Sequence, residues 1–132
     1  MWHNTITLEE KNLTEFEKKF QFRMNPEFRE FLLTHNAGYP LPGTFTTTKK
    51  VRKMKQFLDF NDVESDEGAF EVNLRLRNKI GPKRIIVGID QTGNFICLER
   101  NYARQYIVVW SHITGEFERC ILDLPMFMRQ IG

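Results

Sequence analysis

Asp90-Gln91-Thr92-Gly93 is the segment of this 132-residue chain whose residue types come nearest to reactive chemistry. It looks like the start of an aspartyl-phosphate motif, in which an aspartate at a strand end attacks phosphate. That chemistry also needs magnesium ligands and a charge-neutralising lysine, usually on later parallel strands. Asn94-Phe95-Ile96 instead continues directly into another apolar run, so Asp90 is expected to sit in a hairpin turn. Cys97 and Cys120 lie in Ile/Leu-rich company, which does not activate a thiol, and both are expected as reduced core cysteines. His3 is near a terminus expected to be loose, His35 ends a helix, and His112 follows a strand. None has a carboxylate or cysteine at metal-ligand spacing, so no zinc site is expected, and His35 is expected to meet helix-end carbonyls. The 8 glycines are scattered and form no phosphate-cradling loop. The residues therefore predict neither an enzyme nor a cofactor.

Charge offers a further clue. Lys49, Lys50, Arg52, Lys53 and Lys55 put five cations in seven residues, and Asp59, Asp62, Glu64, Asp66 and Glu67 put five anions in nine. The formal net charge is only +2, so the charges are segregated although the total is balanced. Ordinary solvated surface, with a basic edge strand discouraging aggregation, is the bland reading. A nucleic-acid partner is disfavoured, because the acidic run would repel phosphates and no aromatic residue interrupts the basic run for stacking. A protein partner could use both runs. The candidate contacts are Asp59, Asp62, Glu64, Asp66 and Glu67, with Tyr39 as an aromatic anchor in the loop between Gly38 and Pro40. Against that, a loop tyrosine commonly folds back on its own helix. Trp110 ends an apolar run and is expected to pack in the core or at a strand end.

The elements that position these residues follow from local grammar. Thr7 and Glu10 read as a capping box ahead of an amphipathic helix carrying Leu8, Leu13, Phe16 and Phe20. Asn25 can cap a helix led by Pro26, with Phe28, Phe31, Leu32 and His35 on one side and Gly38 just past its end. Gly38 to Thr48 reads as a loop entering an extended segment. Met54, Phe57, Leu58 and Phe60 fit strand or helix, and the pattern of residues 69–80 also leaves both open. Gly81-Pro82 ends whatever precedes it. Beyond Lys83, three apolar runs separated by turns predict an antiparallel meander, including a hairpin turning at Gln91 to Asn94 where Gly93 tolerates positive φ. Asp123 can cap a closing helix through Pro125, from which Met126, Phe127 and Met128 would pack back on the sheet. The expectation is α+β: an antiparallel sheet of about four to six strands, with N-terminal helices and a C-terminal helix packed against it. Residues 1–132 suit one domain, which would bury roughly two-thirds of the open chain's surface. No apolar run approaches a membrane span and no signal peptide opens the chain, so a cytoplasmic protein is expected.

Taken in order, these pieces resemble the SUKH superfamily, named after the Smi/Knr-type cell-wall regulators of fungi and best represented among bacterial toxin-immunity proteins. Thr7-Leu8-Glu9-Glu10 is similar to its opening helix, and Pro26, Phe28, Phe31 and Leu32 to its proline-led second helix. Asn36-Ala37-Gly38 stands where the family usually carries Asn-Gly-Gly, Ala37 being a departure. Asp90, Gly93, Asn94 and Ile96-Cys97-Leu98 resemble its hairpin, Ile107 to His112 its next strand, and Leu124 to Met128 its closing helix. The resemblance favours a helix at residues 69–80. It implies a non-catalytic protein-binding domain that neutralises a cognate toxin by direct contact, many such toxins being nucleases. Many such proteins are acidic overall, whereas this chain is slightly basic, which weakens the picture of an acidic patch filling a nuclease groove. The alternative it leaves open is a regulatory interaction scaffold like the fungal cell-wall regulators.

Overall fold

The two predicted helix caps on aspartate and asparagine form. Asn25 Oδ1 accepts from Phe28 N at 3.1 Å, and Asp123 Oδ1 accepts from Met126 N at 2.9 Å. The computed structural model describes residues 1–61 and 68–132. In chain order the elements are β1 (Trp2–His3), α1 (Glu10–Lys19), α2 (Pro26–His35), β2 (Tyr39–Pro40), β3 (Thr44–Thr46), β4 (Val51–Phe57), α3 (Ala69–Ile80), β5 (Arg84–Asp90), β6 (Phe95–Asn101), β7 (Arg104–Trp110), β8 (Phe117–Arg119) and α4 (Leu124–Ile131). The fold is α+β. Six strands make one antiparallel sheet in sequential order from β3 to β8, and β1 pairs with β2 in a second, two-stranded sheet.

The larger sheet curls until its two outer strands meet. Thr47 bridges to Cys120, Thr48 N donates to Arg119 O at 2.9 Å, and Ile121 N donates to Thr46 O at 3.1 Å. This contact pairs part of the ladder that a free sheet edge would offer to other chains. β4 lies between β3 and β5 and is an inner strand, so the lysine-rich segment it carries is not an edge guard. Helix α3 packs on β5, and α4 bridges β3, β7 and α2. Between these layers lie Phe16, Phe28, Phe45, Phe57, Phe60 and Phe127, all fully buried. Trp110 joins them, stacked between Phe95 and Phe117. From α4, Phe127 and Met128 turn inward while Met126 stays exposed.

Residues 69–80 are a helix, and the reason lies in Asn73. Strand β4 stops pairing at Phe57 opposite Gly88, leaving the Ile86 backbone without a strand partner on that side. The buried Asn73 carboxamide takes its place: Nδ2 donates to Ile86 O at 2.9 Å and Oδ1 accepts from Ile86 N at 2.7 Å. A buried backbone amide and carbonyl must be paired somewhere, and here one side chain satisfies both. The inward face runs Ala69, Val72, Asn73, Leu76 and Ile80, so a polar residue sits in the apolar stripe while Leu74 faces solvent.

Three local expectations are corrected. Helix α1 begins at Glu10 with Glu9 at its N-cap and no side-chain cap, so the Thr7–Glu10 box does not form. The N-terminus is tied down by pairing of Trp2 and His3 with Pro40 and Tyr39, and Trp2 stacks on Phe57 at 5.5 Å. The turn after α2 places its left-handed residue at Ala37 (φ 61°), and Gly38 is needed for close approach. A Cβ at Gly38 would lie 2.7 Å from Thr5 Cγ2.

Candidate partner-binding surface

Of the predicted contact residues, Asp59 and Tyr39 are engaged by the fold itself. Asp59 Oδ1 accepts from Asn36 Nδ2 (2.9 Å), Asn61 N (3.0 Å) and Asn61 Nδ2 (2.9 Å). Its carbonyl accepts from Ala69 N at 2.7 Å, pinning the start of α3 to the end of the β4 segment. Asn36, fully buried, links the same junction to α2 by accepting from Phe60 N at 2.8 Å. Asp59 is thus a structural hub at the base of the acidic run. Tyr39 is half-buried and stacks on His3 with ring centres 5.0 Å apart, so it folds back on the N-terminal strand. Asp62, Glu64, Asp66 and Glu67 lie outside the described residues.

The groups considered for catalysis are withdrawn from solvent. Asp90 Oδ1 accepts from Thr92 N, Thr92 Oγ1 and Asn94 N, closing the hairpin in which Gly93 adopts φ 86°. Cys97 and Cys120 are unpaired and buried, and burial pushes both thiols up from their ordinary range. His35 Nδ1 lies 2.8 Å from Phe31 O, the helix-end contact anticipated for it. Among the described residues no cluster of three or more His, Cys, Asp or Glu side chains could hold a metal ion.

The basic run is divided by the pleat of β4. Val51, Lys53 and Lys55 face out, while Arg52 and Met54 face in, leaving Arg52 only 8% exposed. Its guanidinium meets Glu118 of β8 through two hydrogen bonds, Nε to Oε2 at 3.1 Å and Nη2 to Oε1. Nη1 lies 3.6 Å from Asp90 Oδ2 and 3.4 Å from Thr92 Oγ1. Thr47 Oγ1 donates to Glu118 at 2.8 Å. Hydrogen bonding from Arg52 is the main reason the Glu118 carboxyl is held below the usual carboxylate range. The clasp ties β4, β8 and the β5–β6 turn together where the sheet edges meet. Its sequence signal was the alternation that puts Arg52 in phase with Met54, outweighed by the five neighbouring cations.

A second charged feature is assembled only in three dimensions. Helices α1 and α3 both end at one pole of the domain, carrying Lys18 and Lys19, and Arg77 and Lys79, in their last turns. The α1–α2 loop adds Arg23, the segment before β5 adds Lys83, and the β6–β7 hairpin adds Arg100 and Arg104. Arg100 joins the pieces: its N donates to Lys83 O at 2.9 Å, its Nη1 donates to Gln21 O at 3.0 Å, and its guanidinium lies over Phe22. Gln105 clamps the loop from the other side, accepting from Asn25 N and donating to Arg23 O, both at 2.7 Å. Among the described residues none of these eight cations is in an ion pair, whereas the nearby Glu17 and Glu99 are bound to Arg29 and Arg84. At the hairpin tip Tyr102 is fully exposed, held in the left-handed region at φ 57°. The same pole holds a groove of about 350 Å³ lined by Thr14, Glu17, Lys18, Gln21, Phe22, Arg23 and Arg100, in which Glu17 is already bound to Arg29. No sequence window contains this pole, because its members come from three separate stretches, residues 18–23, 77–83 and 100–104.

Comparison with known proteins bears on what such a surface serves. No helix among the described residues is long and apolar enough to cross a membrane. No curated protein and no solved structure matches the chain. A family model described as SUKH_6, SMI1-KNR4 cell-wall, matches residues 10–128, from the first residue of α1 well into α4. The chain belongs to the SMI1-KNR4 (SUKH) family, a family of protein-interaction domains.

Proposed function

We propose that the chain is one SUKH-type domain acting as a bacterial immunity protein, which neutralises a cognate toxin in the cytoplasm by direct binding and without turnover. The observation that carries the reading is the family match across residues 10–128. The fate of the reactive groups supports it: Asp90, Cys97 and Cys120 are each at most 3% exposed. An inhibitor needs a surface of roughly 800 Å² per partner, with a few buried anchors supplying most of the affinity. The acidic run Asp62, Glu64, Asp66 and Glu67, based on Asp59, is one proposed contact, because its charge would complement a toxin's basic substrate groove and speed encounter. Tyr39 is proposed only as a flanking contact, since it already stacks on His3.

The test is affinity capture of the tagged protein from its native cells, followed by co-expression with the captured toxin candidate. A stoichiometric toxin whose growth arrest is relieved by this chain supports the reading. Recovery of the toxin without rescue refutes it. Reversing the charges at Asp62, Glu64, Asp66 and Glu67 should weaken capture, and unchanged binding would remove that contact. The second reading is a regulatory scaffold, favoured by the cell-wall description of the family model. Capture of cell-wall or signalling proteins alone would select it.

A further inference from the structure

We infer that the pole formed by the β6–β7 hairpin and the ends of α1 and α3 is a docking surface for an acidic polypeptide segment. The inference goes beyond the proposed immunity role and holds whether or not the partner is a toxin.

Charge balance comes first. Lys18, Lys19, Arg77 and Lys79 lie at helix C-termini, where cations offset the partial negative charge of the exposed carbonyls. Arg23, Lys83, Arg100 and Arg104 have no such local reason to gather. They stand unpaired among the described residues while nearby carboxylates bind other arginines. Four neighbouring cations repel one another, and a ligand carrying several carboxylates relieves that repulsion.

Organisation comes second. Arg100 is held by Gln21 O and by the face of Phe22, and the Arg23 backbone is held by Gln105. Ordering before binding reduces the entropy lost when a partner arrives. A guanidinium fork matches a carboxylate in two parallel hydrogen bonds, so arginine-rich surfaces select carboxylates by geometry as well as charge. Tyr102 adds a large exposed ring at the tip, and tyrosine with arginine is the pairing enriched where interfaces concentrate affinity.

The same features argue against nucleic acid. Single strands need successive open aromatic faces on which bases stack. Here Phe20 and Phe22 already carry Arg77 and Arg100 over their rings, leaving Tyr102 as the free face at this pole among the described residues. The groove at this pole, about 350 Å³ in volume, suits a side chain rather than a duplex.

The experiment is fluorescence anisotropy of the full chain with two labelled probes, a glutamate-rich peptide containing one aromatic residue and a single-stranded oligonucleotide of matched charge, each at low and physiological salt. The peptide is expected to bind and to outcompete the oligonucleotide. Arg100→Glu with Arg104→Glu should lower peptide affinity at least about tenfold, and Tyr102→Ala about fivefold or more. The control is Lys53→Glu with Lys55→Glu, an equal charge change on the outer face of β4, which should leave affinity within about twofold, as salt-screened distant charges do. Equal losses in both double variants would reduce the effect to net charge and overturn the inference. Absence of peptide binding, or preference for the oligonucleotide at the same residues, would also overturn it. Neither result bears on toxin capture or growth rescue, so the two readings fail separately.

Discussion

Replacing Glu118 by methionine tests the clasp that closes the sheet. The substitution keeps bulk and removes both carboxylate oxygens from the Arg52 guanidinium. Arg52 would remain 8% exposed, with Asp90 Oδ2 at 3.6 Å and Thr92 Oγ1 at 3.4 Å as its remaining partners among the described residues, while Thr47 Oγ1 keeps Lys50 O at 3.1 Å as an acceptor. Stranding one member of a buried ion pair costs about 3–5 kcal/mol, a large part of the roughly 5–15 kcal/mol that holds a domain together. The melting temperature should fall by about ten degrees or more. Arg52→Met should cost at least as much, because it leaves Glu118 and Asp90 together without a cation. The double variant should cost less than the two singles summed, with a coupling of about 2 kcal/mol. Urea unfolding of the four proteins gives these quantities directly. The same site sets a pH dependence. Arg52 lowers the folded carboxyl value of Glu118, so its contribution is full above the unfolded value near ~4.3 and is lost as pH falls through the folded value. That loss should be absent from Glu118→Met. If each single variant costs under about 1 kcal/mol and the costs add, the pair behaves as an exposed salt bridge and the reasoning is wrong.

Asn73→Leu fills similar volume but leaves the Ile86 amide and carbonyl unpaired, so it should destabilise by about 2–4 kcal/mol and speed hydrogen exchange at Ile86; unchanged exchange would show another partner for that strand. Ala37→Gly should stabilise by roughly 0.5–1 kcal/mol, since the left-handed backbone at φ 61° penalises a Cβ more than glycine's added chain entropy; a lower urea midpoint would contradict it. Cys97 and Cys120 should resist a thiol reagent in buffer and react together on unfolding, because burial raises both thiols; fast labelling of the folded protein would refute the packing described.

Much of the fold was legible because caps and turns act within a few residues. Asn25 and Asp123 cap as read, the turn at Gly93 joins β5 to β6, and Trp110 packs inside. The Thr7–Glu10 box does not form because α1 starts later, with Glu9 at its N-cap, and the Thr7 carbonyl instead accepts from Asn61 Nδ2 at 3.0 Å. Residues 69–80 were ambiguous because Asn73 breaks the apolar stripe for a purpose supplied by β5, invisible in the window itself. Tyr39 and Asp59, candidate contacts by residue type, also serve the fold: one stacks on His3 and the other organises the junction before α3. Arg52 is one cation among five along the chain, although strand alternation places it inward.

By itself the sequence determined the α+β class, the antiparallel meander, two capped helices and membership of a protein-interaction family. Those properties rest on periodicity, capping and turn preference, interactions whose partners are close along the chain. Tertiary structure alone decided that β3 meets β8, that Arg52 and Glu118 pair across 66 residues, and that cations from three separate stretches gather at one pole. Each of these depends on how far the sheet curls and where the helices end on it. That is settled by packing the whole core at once, and no short window of residues contains the information.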